Sequence, residues 1–213
     1  MQETDDDLIE SYLAGDTGAF RALVERYSDP LMRFLCRFVG RRDTAEDVFQ
    51  DTFLQVHQSL DTFDRTRRFK PWLFTIAANK GRDALRRLQR RPAVSLSART
   101  PGSDVEGSGS GGLVDLIQIE VPEPGARLDS EELSDKVQRA VDAIPVRLRE
   151  ILLLAYFQRL TYAQIADEYE IPIGTVKSRL HAAVACFAQR WQEESESEKH
   201  RESEARSRRE LSG

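Results

Sequence analysis

The sequence predicts an all-α fold: two small helical domains joined by a flexible linker, the C-terminal one a helix-turn-helix. Three observations predict it. Apolar residues up to position 91 recur at three- and four-residue steps, with no alternating strand pattern. Pro92, Pro101, Pro122, Pro124 and the run GSGSGG at 107–112 then interrupt the pattern. Helical periodicity returns at about 130 and is broken again at 170–172, before a polar helix that holds no acid from 171 to 192.

The elements follow in order. Thr4 is placed to cap a short first helix, with Asp5, Asp6 and Asp7 at the positive end of its dipole. Phe20, Leu23, Val24, Tyr27, Leu31, Phe34, Leu35 and Phe38 form one stripe on a helix of about six turns. Pro30 lies inside that stripe, so a kink or break is expected there. A third helix spans about 43–60, with Val48, Phe49, Phe53, Val56 and Leu60 inward. A fourth opens near Pro71 and runs to about 90, burying Trp72, Leu73, Ile76, Ala77, Ala84, Leu85 and Leu88. These make a first domain over 1–91, followed by a linker over 92–129. Within the linker, LVDLIQIEV at 113–121 reads as extended and weakly ordered. In the second domain, 130–192, Leu133, Val137, Ala140, Val141 and Ile144 share a face, and Pro145 starts the next helix through to Phe157. Two more helices fall at about 161–169 and 173–192. The charged tail 193–213 reads as disordered or as a frayed helical extension.

Composition bounds the function. The chain has 213 residues and a net charge of −5, but the charge is uneven. Residues 65–91 hold ten basic side chains and one acid, Asp83, a block of net +9 that needs an anionic partner or a solvated face. Cys36 and Cys186 stand far apart, and His57, His181 and His200 match no metal-ligand spacing, so neither a disulfide framework nor a metal site is expected. No cofactor is expected either. The acidic start MQETDDDLIE is unlike a signal peptide, and no apolar run approaches membrane-spanning length, so a cytoplasmic protein without membrane insertion is expected. With no nucleotide loop, nucleophile–base pair or metal cluster, an enzyme is not expected.

The C-terminal pattern has a physical reading of its own. Thr161 and Gln164 have capping-box spacing, Ile165 and Ala166 face inward, and the helix after the break offers Thr175, Lys177, Ser178, Arg179 and His181. A helix-turn-helix presents such side chains to a major groove, and the missing acids suit an approach to phosphate. An ordinary helical hairpin with a polar face is the plainer alternative. The stretch IPIGTVKSRLHAA at 171–183 resembles region 4 of the bacterial sigma factors, in particular the extracytoplasmic-function group. The resemblance implies that Thr175, Lys177, Ser178, Arg179 and His181 face the duplex of the −35 promoter element. Two features depart from the family: Glu170 stands where glycine is common, and Ala182 and Ala183 stand where arginine is common.

The first domain resembles region 2 of the same group. DTAEDVFQDTF at 43–53 is similar to its polymerase-binding helix, where Glu46, Asp47, Gln50 and Asp51 can share one polar face. Such a face is otherwise simply solvated. FKPWLFTIAAN at 69–79, continuing to 91, resembles the reader of the −10 element. Phe69, Trp72, Asn79, Arg82, Asp83, Arg86, Arg87 and Arg90 are the implied contacts to single-stranded DNA. Arginines beside aromatic and amide groups suit unstacked bases independently of any family. For Trp72, core packing is at least as well supported as base stacking. The implied partners are core RNA polymerase and promoter DNA, with an anti-sigma protein as a further candidate. The competing reading, a stand-alone helix-turn-helix regulator, predicts tight binding to a palindromic site without polymerase and leaves the basic block of 65–91 without a role.

Overall fold

The computed structural model describes residues 3–90 and 131–210, with side chains of the second stretch described over 133–197. The linker expected over 92–129, its segment 113–121 and the tail's last residues lie outside these. The described residues form eight α-helices: α1 (Asp5–Leu13), α2 (Thr17–Val39), α3 (Arg42–Ser59), α4 (Phe69–Arg90), α5 (Glu131–Asp142), α6 (Val146–Leu152), α7 (Tyr162–Tyr169) and α8 (Ile173–Glu210). A 3-10 turn follows α3 at Leu60–Thr62, and a π-helical turn follows α6 at Leu153–Phe157.

Local chemistry sets the helix starts. Thr4 and Asp7 form a reciprocal capping box, the Thr4 amide donating to the Asp7 carboxylate at 2.8 Å. These hydrogen bonds from Thr4 hold the Asp7 carboxyl below its ordinary range. Asp16 caps α2 by accepting from the Gly18 amide at 2.8 Å. Of the kink or break expected at Pro30, the break does not occur, and α2 runs through it as one helix. Its flanking stripe explains this: Leu23, Tyr27, Leu31, Phe34, Leu35 and Phe38 are all buried, so packing on both sides of the proline offsets one lost hydrogen bond.

α2 is the central post of the first unit, with α1, α3 and α4 packed around it. Leu88, expected inward on α4, is instead 38% exposed, because it lies past Ala84, the last buried residue of that helix. Gly81 of α4 marks the closest approach. A Cβ there would meet the ring of Phe38 at 2.7 Å, and Phe38 is fully buried. Gly81→Ala is therefore expected to destabilise the chain by about 1–3 kcal/mol, despite alanine's better helix propensity. Urea denaturation checks this; a stabilised variant would refute the tight crossing.

In the second unit α5, α6, α7 and α8 enclose Val141, Ile144, Ile151, Leu153, Leu154, Ile165, Val176, Leu180 and Ala183. The capping box at α7 forms as expected, the Gln164 amide donating to Thr161 Oγ1 at 3.2 Å. Glu170 ends α7 in the left-handed region at φ 50 and ψ 42. Glu170→Gly should then stabilise this unit by about 1 kcal/mol, read as a higher melting temperature. No gain would mean that Glu170 holds a compensating contact.

α8 continues through 193–210 instead of ending near 192. No Gly or Pro interrupts that stretch, and short-range pairs support its start: Arg190 with Glu193 at 2.8 Å and Gln189 with Glu193 at 3.0 Å. Arg139 of α5 also reaches Glu194 at 3.1 Å.

The two units pack against each other. Arg149, 7% exposed, donates to the Phe38 carbonyl at 2.9 Å, and Gln138 donates to the Arg37 carbonyl at 3.1 Å. Both carbonyls belong to the last turn of α2, where helical partners run out. Lys70 of α4 donates to the Gln158 carbonyl at 2.8 Å.

Candidate nucleic-acid interface

α4 and the turn before it build the first surface. Trp72 packs on Phe63, ring centroids 4.6 Å apart, and both line an open cavity of about 510 Å³ with Asn79, Lys80 and Asp83 at its far side. Trp72 is half-buried and Asn79 exposed, so one aromatic face and one amide meet in a solvent-open hollow. Arg86, Arg87 and Arg90 stand exposed on the following turns of α4. Asp83 organises this ridge: its carboxylate pairs with Arg86 at 3.3 Å, and its carbonyl accepts from Arg87 at 3.4 Å. An aromatic wall, an amide and exposed guanidinium groups are what an unstacked base with its phosphates requires.

Phe69 corrects the expectation. It is 2% exposed and packs between Tyr27, Phe63 and Trp72. Lying at the start of α4, it faces the core and supports the hollow from beneath. Arg82 also departs from the exposed ridge. It points to the second unit, where its guanidinium lies 3.0 Å from the buried Glu150 and over the Tyr169 ring.

α8 provides the second surface. Lys177 and Ser178 are exposed, while Thr175, Arg179 and His181 are half-buried. Ser178 donates back to the Thr175 carbonyl at 3.1 Å. Arg179 lines a cavity of about 320 Å³ between the units, shared with Arg82, Arg147, Glu150 and Tyr169. Burial pushes the Glu150 carboxyl up to about 7, against the opposing pull of Arg82, Arg179, Arg147 and Arg86. A carboxyl raised in the folded state keeps a proton that the unfolded chain releases near its ordinary 4.5. Its stabilising effect is full below that value and is lost as pH rises through about 7. Wild type minus Glu150→Gln should show this loss in denaturant titrations at pH 5 and 8; a flat difference would refute it.

The third surface is on α3. Glu46, Asp47 and Gln50 are exposed and Asp51 is half-buried. Glu46 is held by Arg42 at 2.9 Å, which leaves Asp47, Gln50 and Asp51 as the outward set.

Family models match both units: Sigma-70 region 2 over residues 23–91 and Sigma-70, region 4 over residues 134–187. The chain is also 32% identical over 175 residues to the ECF RNA polymerase sigma factor SigW of Bacillus subtilis (strain 168), a match covering 81% of this chain and 89% of the relative. The chain is an ECF RNA polymerase sigma factor. The ECF RNA polymerase sigma-E factor of Escherichia coli (strain K12) is 34% identical over 187 residues, covering 85% of this chain and 91% of its own. Among solved structures, CnrH in complex with the cytosolic domain of CnrY shares the fold at a TM-score of 0.61 and 23% identity, covering 88% of this chain and 96% of that one. The sigma factor RpoE of Bartonella quintana, in complex with the anti-sigma factor NepR, shares it at 0.55 and 21%, covering 81% and 96%.

A sigma factor directs core RNA polymerase to specific promoters, and its partners are that enzyme and promoter DNA. A stand-alone regulator is not favoured, because the region 2 match accounts for the first unit as well as the second. No helix among the described residues of this sigma factor is long and apolar enough to cross a membrane, and no metal-holding cluster occurs among them. Sequence reasoning missed two exposed apolar side chains beside the candidate surfaces. Leu54, 57% exposed, continues the α3 stripe of Asp47, Gln50 and Asp51 one turn on. Ile173, 48% exposed, opens α8. The i, i+3, i+4, i+7 spacing from Asp47 to Leu54 is the signal that identifies the first.

Proposed function

We propose that the sigma factor divides its work by unit. Residues 1–91 bind polymerase through α3 and capture the opened −10 strand with α4; residues 130–192 hold −35 duplex DNA with α8. The observation that carries this reading is the solvent-open hollow of Trp72 and Asn79 beside the exposed Arg86, Arg87 and Arg90. On α3, Asp47, Gln50 and Asp51 dock the protein on a basic polymerase surface, with Leu54 burying apolar area at its edge. On α8, Lys177 and Ser178 contact the −35 duplex from the start, with Thr175, Arg179 and His181 beside them.

Each unit offers few base contacts, so each binds DNA weakly alone. Joining both to polymerase raises the effective concentration of each at its element. The factor acts by binding, without catalysing a reaction, and works in the cytoplasm with the polymerase. An anti-sigma protein is a further partner, in keeping with the NepR complex of the Bartonella relative. The test is run-off transcription with purified core polymerase on promoters from the same genome. Specific transcripts that require this chain are the expected result. Absence of transcripts, with tight duplex binding by the chain alone, would overturn it.

A further inference from the structure

α8 opens on an apolar side chain that the fold does not bury. Ile171, two residues earlier, packs against the core, whereas Ile173 is 48% exposed. Among the described residues it is the one large apolar side chain of α8 in that state. Its backbone is fixed: the Pro172 carbonyl accepts from the amides of Thr175 at 2.8 Å and Val176 at 3.3 Å. Branching at Cβ then leaves the side chain few rotamers, so its place on the surface is set before anything binds.

Its direction follows from helical spacing. Val176, Leu180 and Ala183 point into the second unit. Arg179 turns to one side, into the cavity shared with Glu150. Ile173, Lys177 and His181, at i, i+4 and i+8, share the other edge, and the exposed Gly174 and Ser178 lie along it. A Cβ on Gly174 would meet nothing within 4 Å, so packing does not require that glycine. The missing side chain leaves Ile173 uncovered on the side where a second molecule approaches.

No acid occurs from 171 to 192 to oppose an approach to DNA. In a major groove every base pair offers hydrogen-bonding groups, and thymine adds a C5-methyl. An isoleucine set against the edges of guanine, cytosine or adenine would strip water from polar groups and return no hydrogen bond. Against a thymine methyl it buries apolar area on both partners. We propose that Ile173 is a specificity-determining residue of the −35 contact, packing on the C5-methyl of one thymine where the start of α8 enters the groove. Lys177 and Ser178 hold the neighbouring phosphates and base edges, and Ile173 selects the base beside them. This rests on the reading that α8 binds −35 duplex DNA.

The test uses the full chain assembled with core polymerase on a promoter that it transcribes. Each thymine of the −35 duplex is replaced in turn by deoxyuridine, which removes the methyl and nothing else. At one position the replacement should weaken promoter binding roughly threefold, the contribution of one buried methyl group. Ile173→Ala should weaken binding to thymine DNA by a similar factor and show no further loss with deoxyuridine at that position. Ile173→Val, which keeps the branch, should retain most of the methyl preference. Lys177→Ala should instead keep the methyl preference and lower the salt slope by about 0.9. The proposal is overturned if no deoxyuridine weakens binding by the parent chain, or if the loss persists undiminished in Ile173→Ala. The scan of the parent chain needs no variant, so it decides alone if Ile173→Ala fails to fold. Scrambling the whole −35 element separates the two readings. Weaker binding after scrambling without any deoxyuridine effect sinks only the role of Ile173; unchanged binding after scrambling sinks the −35 reading of α8 beneath it.

Discussion

Asp47→Arg should reduce specific run-off transcription at least tenfold at limiting protein, about 1.4 kcal/mol of lost association with core polymerase. Asp47 is exposed and forms no ion pair among the described residues, so its replacement leaves the fold intact. Reversal adds like-charge repulsion to the loss of attraction, and the effect should be largest at low salt, where steering is strongest. Titrating the variant to high concentration should recover transcripts, because the DNA-facing surfaces are untouched. The neighbouring Leu54→Ala tests the apolar part of the same stripe: it should weaken association with little change in salt dependence. Unchanged transcription by Asp47→Arg would return this acidic face to plain solvation.

The second large effect concerns strand capture. Trp72→Ala should cost about 1–3 kcal/mol in binding of an unpaired −10 strand by the polymerase complex, the usual worth of one base stacked on an aromatic ring. Trp72 also packs on Phe63 and Phe69, so Trp72→Phe is the control: it keeps an aromatic face and should recover most of the binding. Arg86→Ala with Arg87→Ala should act differently. Loss of two phosphate contacts to a single strand lowers the salt slope of binding by about 1.4. Permanganate footprinting of the opened promoter, together with binding to a fork-junction duplex, separates the two. If Trp72→Ala opened promoters as well as wild type, the tryptophan would be packing alone. If the arginine pair left the salt slope unchanged, the ridge would not touch phosphate.

Much of this molecule was legible in its residues. The stripe from Phe20 to Phe38, the cap at Thr4, the box of Thr161 and Gln164, and the step at 170–172 each report a local rule: periodicity, side-chain capping or a helix stop. Charge bias marked the end of α4 for the same reason, since five arginines between 82 and 91 repel unless something anionic answers them. Where prediction and structure part, packing outweighs the local rule. Pro30 leaves α2 whole because the residues flanking it are buried. Phe69 reads as a surface aromatic in a basic motif, yet three aromatic neighbours draw it inward.

Sequence alone determined the helical class, the order of the two units and the family, because these depend on short-range patterns and motif residues carried in the chain itself. It also offered Asp47, Gln50, Asn79 and Lys177 as candidates for contacts outside the fold, while Trp72 read at least equally as core packing. Only the tertiary structure decided which of the cationic side chains stay exposed. Arg86, Arg87 and Lys177 remain exposed, whereas Arg82 and Arg179 turn into a shared cavity around Glu150. The residues that bring about that difference, Arg149, Gln138 and Glu168, act across 100 residues or more of chain. No periodicity reports such pairings, because they follow from where two helical units meet rather than from either unit's own pattern.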